Sequence, residues 1–290
     1  MMINKFSKLM APATAALLFA SLSAGVALTA GTVGDDYIAK QKSALAESTK
    51  GKGYGPQSPR DLGTLAGNNS RAFGSAPAHT AMNLCNIHFH ENAEHKGGSF
   101  TAYAGNGNGK GTGTGFKYNG TLSDAELKPY GKKVGEGKYG DLQSGDTIEV
   151  HYVHTTAKVS PGPTLGSCLS EAIGNPQLRV ETQVYVIVND ASAANFVELA
   201  KVENVGGLYQ APNIPTDTGA PIQYTGSTTG PSYNEKGSPF QVSWSVRPEI
   251  KKITIGSLDR WLSGNRFEET AAHGVRNLVT NPDLISNILN

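Results

Sequence analysis

Residues 86–95, NIHFHENAEH, hold three of the chain's seven histidines and two glutamates. In extended backbone, residues i and i+2 point to the same face. His88 and His90 would then project side by side with Asn86, while Ile87 and Phe89 turn toward apolar packing. Two imidazoles from one strand, on one side of an ion, suit zinc. A second run, EVHYVH at 149–154, supplies His151 with Glu149 on the same face. Three neutral imidazoles from neighbouring strands leave a fourth position open for water, the catalytic form of a zinc site. A ligating histidine usually gives its other N–H to a carboxylate or amide. Asn86 precedes His88 by two residues and Glu149 precedes His151 by two, so each is a suitable partner on the right face. His95 competes with His151 for the third place but lies past the expected strand end. His154, three residues after His151, falls on the opposite face as a packed or hydrogen-bonded histidine. His79 and His273 lie in less regular segments. The competing reading of the whole cluster is a solvated polar strand edge.

Such ligands need a sheet behind them, and strand signals dominate after residue 80. NLCNIHFHE (83–91) alternates, SFTAYAG (99–105) and GTGFKYNG (113–120) are short and aromatic, and DTIEVHYVHTTAKV (146–159) is β-branched throughout. LRVETQVYVIVND (178–190) is the most apolar run after residue 30, and PFQVSWSVRPEIKKITI (239–255) reads as strand, turn, strand. β-branched and aromatic enrichment between Gly, Pro and Asn supports these assignments. Short helices are expected within 31–50, at SLDRWLSG (257–264) and at NPDLISNILN (281–290), the last capped by Asn281 or Asp283. GNGNGKGTGTG (105–115) lacks the spacing of a phosphate loop and reads as a flexible hairpin connection. The expected fold is mostly β (α+β): one domain around a large, mainly antiparallel central sheet with peripheral short helices.

The first thirty residues differ from the rest. Two lysines, Lys5 and Lys8, precede an apolar Ala/Ser-rich run, and no charge follows until Asp35. This is the pattern of a secretory signal peptide over 1–30, cleaved between Ala24 and Ala30, rather than a membrane anchor. The mature domain then spans 31–290, exported to a periplasm or secreted, with no later segment apolar enough to span a bilayer. Charge is balanced, 25 Lys+Arg against 24 Asp+Glu. No basic stripe appears, which argues against nucleic acid as a partner. Cys85 and Cys168 are the two cysteines, and in an exported protein they most simply form one disulfide. A bond closing so long a loop stabilises by about 4 kcal/mol in the chain-entropy model.

Several stretches, in order along the chain, resemble alpha-class carbonic anhydrases: GPQSPRDL (55–62), IHFHENAEH (87–95), EVHYVHTT (149–156), YTGSTTGPS (224–232) and VSWSV (242–246). The fuller wording, with NPQLRVETQVYVIVND, STTGPSYNEKGSPFQVSWSVRP and HGVRNLV, is still more similar to delta-class carbonic anhydrases and their bacterial relatives, over about residues 53–280. The resemblance implies an alpha-carbonic-anhydrase-like fold and reversible hydration of CO2 to bicarbonate. It implies one Zn2+ per chain, with Co2+ as a substitute, on His88, His90 and His151. It implies that Thr229 accepts a hydrogen bond from zinc-bound hydroxide and donates one to Glu94. Val153, Val242 and Trp244 would line the CO2 pocket, with Thr228 at a wall position that the family usually fills with Leu. The loop between the histidine pair and Glu94 is shorter than in the alpha class, and no proton-shuttle histidine has a clear match; His79 is a guess for that role.

Two other functions fit parts of the pattern. His88, His90 and Glu94 obey the first motif of cupins, which would bring iron, manganese or nickel and oxidation or isomerisation. The second cupin motif is missing; PGPTLG (161–166) has no histidine at the right distance. A non-catalytic metal or bicarbonate binder on the same scaffold is the third reading.

Overall fold

The computed structural model describes residues 31–228 and 234–289. The signal-peptide expectation over 1–30 and the expectation for Thr229 lie outside the described residues. The elements in chain order are α1 (Asp35–Thr49), β1 (Asn83–Glu91), β2 (Ala102–Asn106), β3 (Thr114–Lys117), β4 (Val134–Gly137), β5 (Gly140–Leu142), β6 (Thr147–Thr155), β7 (Leu178–Val188), α2 (Phe196–Leu199), β8 (Glu203–Val205), β9 (Leu208–Gln210), β10 (Ile222–Ser227), β11 (Gln241–Thr254) and α3 (Ile255–Leu262). The central sheet runs β1-β6-β7-β11-β10, and three two-stranded ribbons pair β2 with β3, β4 with β5 and β8 with β9. All central pairs are antiparallel except β7 with β11. The Gly-rich stretch at 105–115 is the hairpin connection of β2 and β3. No helix among the described residues is long and apolar enough to cross a membrane.

Each face of the sheet has its own core. Ile87, Phe89, Ile148, Val150, Tyr152, Tyr185 and Ile187 pack on one side with α3 residues Leu258 and Trp261. Val153, Val180, Val184, Val242 and Trp244 pack on the other. Alternation therefore sorts β1 and β6 as the sequence implies. The run at 239–255 corrects one expectation: it is one long strand rather than two. Its pairing with β7 shifts between Val246 and Ile250, so the Arg247–Pro248–Glu249 segment is absorbed as a bulge. The C-terminal helix is also shorter than expected. Among the described residues only a single 3-10 turn, Pro282–Leu284, forms there, with Asn281 accepting from the Asp283 N–H.

A second irregularity lies in β1. Leu84 pairs with His154 and Asn86 with Val153, which leaves Cys85 as the extra residue of a bulge. Cys85 thereby joins the metal-face core and forms the expected disulfide with Cys168.

His154 points to the reverse face, is fully buried, and donates from Nδ1 to the Tyr152 carbonyl at 2.9 Å. Burial, and then the nearby His79, push its pKa down to about 3. The unfolded chain protonates this residue below pH 6.5 and the native protein does not. Its stabilising contribution is therefore complete above pH 6.5 and is lost as pH falls toward 3, by up to about 1.4 kcal/mol per pH unit. Urea titrations between pH 7.5 and 4.5, in chelator, should show a shallower pH slope for His154→Gln than for the wild-type chain. Equal slopes would refute this.

Candidate metal centre

β1 and β6 are adjacent, and their register sets His88 directly opposite His151 and His90 opposite Glu149. The three ring centroids lie 5.4 Å (His88–His90), 5.1 Å (His88–His151) and 4.8 Å (His90–His151) apart. Their second nitrogens are all held. His88 Nδ1 lies 2.6 Å from Asn86 Oδ1, and Asn86 is itself oriented by donating from Nδ2 to the Gly162 carbonyl at 3.1 Å. His90 Nδ1 lies 2.9 Å from the Gly274 carbonyl. His151 Nε2 lies 2.7 Å from Glu149 Oε1.

These contacts fix the tautomers. A carbonyl or carboxylate oxygen only accepts, so each held nitrogen carries the proton. The remaining atoms, Nε2 of His88 and His90 and Nδ1 of His151, are bare lone pairs. His151 Nδ1 and His88 Nε2 face each other at 3.3 Å. Two lone pairs at that range repel unless a cation lies between them. A tetrahedral ion with bonds of roughly 2.0–2.1 Å spaces its ligand atoms by roughly 3.3–3.4 Å. The donor set therefore fits zinc. Burial, and then the neighbouring histidines, hold the His88 pKa well below its usual value, and burial takes His90 down to about 4.

Behind this triad lies a buried polar network. Glu149 accepts the His151 N–H, the His95 Nδ1–H at 2.7 Å and the His95 backbone N–H at 3.0 Å. Burial alone would raise its pKa, but His95 and His151 outweigh that and hold it well below the carboxylate range. His95 Nε2 meets the Tyr224 hydroxyl at 2.6 Å, which in turn meets Ser58 Oγ at 2.5 Å. Both nitrogens of His95 are thus engaged. His95, Glu149 and His151 also lie close enough together to hold an ion. Their donors and acceptors already satisfy one another, so this second grouping is a hydrogen-bonded brace behind the triad.

Above the triad opens a cavity of about 240 Å³ lined by Val153, Val180, Val242, Trp244, Thr228, Thr164 and Leu165. All four residues expected in the pocket line it. The Cys85–Cys168 bond and the Gly162 N–H to Cys85 carbonyl contact tie the 162–168 segment, with Thr164 and Leu165, to β1 beside the metal site. Glu94 is buried and accepts the Arg276 backbone N–H at 2.8 Å. His79, the guessed shuttle, is misplaced: it contacts His154 and Glu181 on the reverse face, because the turn that carries it caps the far side of the sheet.

The residue that sequence reasoning missed is His273. It lines the cavity, its ring lies 5.4 Å from His88, and its side chain is 49% exposed. Glu269 Oε2 is 2.9 Å from its Nε2. It sits in an irregular segment, brought in by a bridge between His90 and His273 that local spacing does not signal.

The family model for delta carbonic anhydrases matches residues 79–257, more than half of the chain. The chain belongs to that family. As a carbonic anhydrase its reaction is the hydration of CO2. No curated protein matches this delta carbonic anhydrase. Among solved structures, the Photobacterium profundum alpha-carbonic anhydrase is similar at 14% identity and a TM-score of 0.27, covering 85% of this chain and 95% of that one. The alpha-carbonic anhydrase from Thermovibrio ammonificans, in complex with the inhibitor sulfanilamide, is similar at 12% identity and a TM-score of 0.29, covering 81% and 87%.

Proposed function

We propose that this carbonic anhydrase works with one zinc ion held by His88 Nε2, His90 Nε2 and His151 Nδ1, after export to an oxidising compartment. The facing lone pairs of His88 and His151 at 3.3 Å carry this reading. When bound, zinc lowers the pKa of water from 15.7 to about 7 and so supplies a nucleophile at neutral pH. Neutral ligands leave the ion's charge undiminished, and Asn86, Gly274 and Glu149 keep each ring in the required tautomer. Val153, Val180, Val242 and Trp244 give CO2 an apolar wall that binds it weakly and excludes water. Thr229 orients the nucleophile and Glu94 fixes the threonine proton, as the resemblance implies. The proton released with bicarbonate leaves through His273, the half-exposed imidazole at the cavity mouth, oriented by Glu269.

The test is zinc content together with the CO2 hydration rate of the purified chain. One tightly held zinc and fast hydration are expected; abundant iron or manganese with little zinc would overturn zinc as the working ion. Val153→Tyr should keep its zinc yet lose hydration by at least about ten-fold, because the ring fills the space beside the ion. Retained zinc with an unchanged rate would place CO2 elsewhere. For His273→Ala, maximal turnover should fall while kcat/KM holds, and concentrated imidazole buffer should restore it. Turnover equal to wild type in dilute buffer would remove His273 from the proton path.

A further inference from the structure

On the reverse face of the sheet stands a second histidine pair. His154 keeps its proton on Nδ1, facing the Tyr152 carbonyl, so its Nε2 is a lone pair. Among the described residues that atom is buried with no hydrogen-bond partner. A buried acceptor left bare pays its desolvation with no bond in return. Beside it, His79 opens the 3-10 turn His79–Ala81. Its Nδ1 lies 3.3 Å from Glu181 Oε1, which again leaves Nε2 as the lone-pair atom.

The two rings are 5.4 Å apart and inclined by 56°. His88 and His90, the ligand pair on β1, have the same 5.4 Å separation. In both pairs each imidazole is anchored at Nδ1 by an oxygen, the arrangement that sets a histidine up as a metal ligand. The His79 side chain is 35% exposed, which gives an ion a way in from solvent.

We propose that His79 and His154 form a second metal site, which takes a borderline divalent ion such as zinc or copper(II) on their two Nε2 atoms, with water completing the coordination. Glu181 supplies compensating negative charge. Arg179, with Nη1 3.6 Å from Glu181 Oε1, opposes it, although its Nε and Nη2 are committed to the Pro77 and Ala76 carbonyls. Two protein ligands and a nearby guanidinium make this site weaker than the triad. Copper(II) should bind it more tightly than zinc, in the usual order for imidazole ligands. An ion there would fasten the turn ahead of β1 to β6.

The experiment is metal stoichiometry on the full chain, purified without an affinity tag, stripped with chelator and dialysed against buffered zinc or copper(II). Wild type should take up one tight and one weaker equivalent. His79→Ala, at a half-exposed turn that does not disturb the core, and His154→Ala should each lose the weaker equivalent alone. His151→Ala should lose the tight one alone. A wild-type chain that saturates at one equivalent, or a weaker equivalent that survives His79→Ala, overturns the second site. A tight equivalent that survives His151→Ala would instead count against the catalytic ligands.

Discussion

His151→Ala should purify folded, without tightly bound zinc, and hydrate CO2 no faster than buffer. His151 is the one ligand from β6, and it stands directly opposite His88. Without it, two imidazoles from a single strand remain, and a two-ligand site does not retain zinc through purification. The acidity supplied by the ion is worth roughly 12 kcal/mol of water ionisation, the gap between pKa values of 15.7 and about 7. Among the described residues lining the cavity, no group replaces it. Zinc analysis, stopped-flow hydration and circular dichroism on the same preparation check the result. His154→Ala is the control: it lies three residues along the same strand, faces away, and should keep the tight zinc and the rate. Stoichiometric tight zinc in both variants would mean that the third ligand is another residue.

Glu149→Ala should be the second severe change, and it should act on stability and metal affinity together. The carboxylate accepts three N–H groups, from the His151 ring, the His95 ring and the His95 backbone, and is fully buried. Removing it strands those donors away from water. A buried charged network cut on one side costs about 3–5 kcal/mol. Losing the group that orients a ligating histidine typically weakens metal binding by about 10–100-fold. Glu149→Gln should fall between the two, since its amide oxygen can still accept while its NH2 meets a donor. Urea unfolding and zinc competition with a chromophoric chelator separate the effects. Wild-type zinc affinity in Glu149→Ala would show that the carboxylate does not position His151.

Much of this site was legible because it is written in strand alternation. The phase of NIHFHE and EVHYVH decides which side each residue faces, and antiparallel pairing of the two runs then brings His88, His90 and His151 together. Asn86 and Glu149 followed from the same phase. What stayed hidden depends on contacts between distant segments. The Cys85 bulge is an irregularity of register that no local pattern marks. The parallel pairing of β7 with β11 needs a crossover that strand propensity does not specify. Pro248 looked like a turn because proline usually ends a strand; here the bulge accommodates it. His273 arrives from a segment without periodicity, through a bridge to His90. His79 looked available because its helical turn gives no sign of which side of the sheet it covers.

One strand carries more than its share of the molecule. Within six consecutive residues of β6, Glu149, His151 and Val153 serve one side, while Val150, Tyr152 and His154 serve the other. The two sets interleave like alternate letters of two messages. Deleting or inserting one residue before Glu149 would exchange them, turning tyrosine and valine toward the ion and imidazole and carboxylate into the oily layer. Loops around this enzyme can lengthen or shorten, but the parity of β6 is fixed from both sides at once.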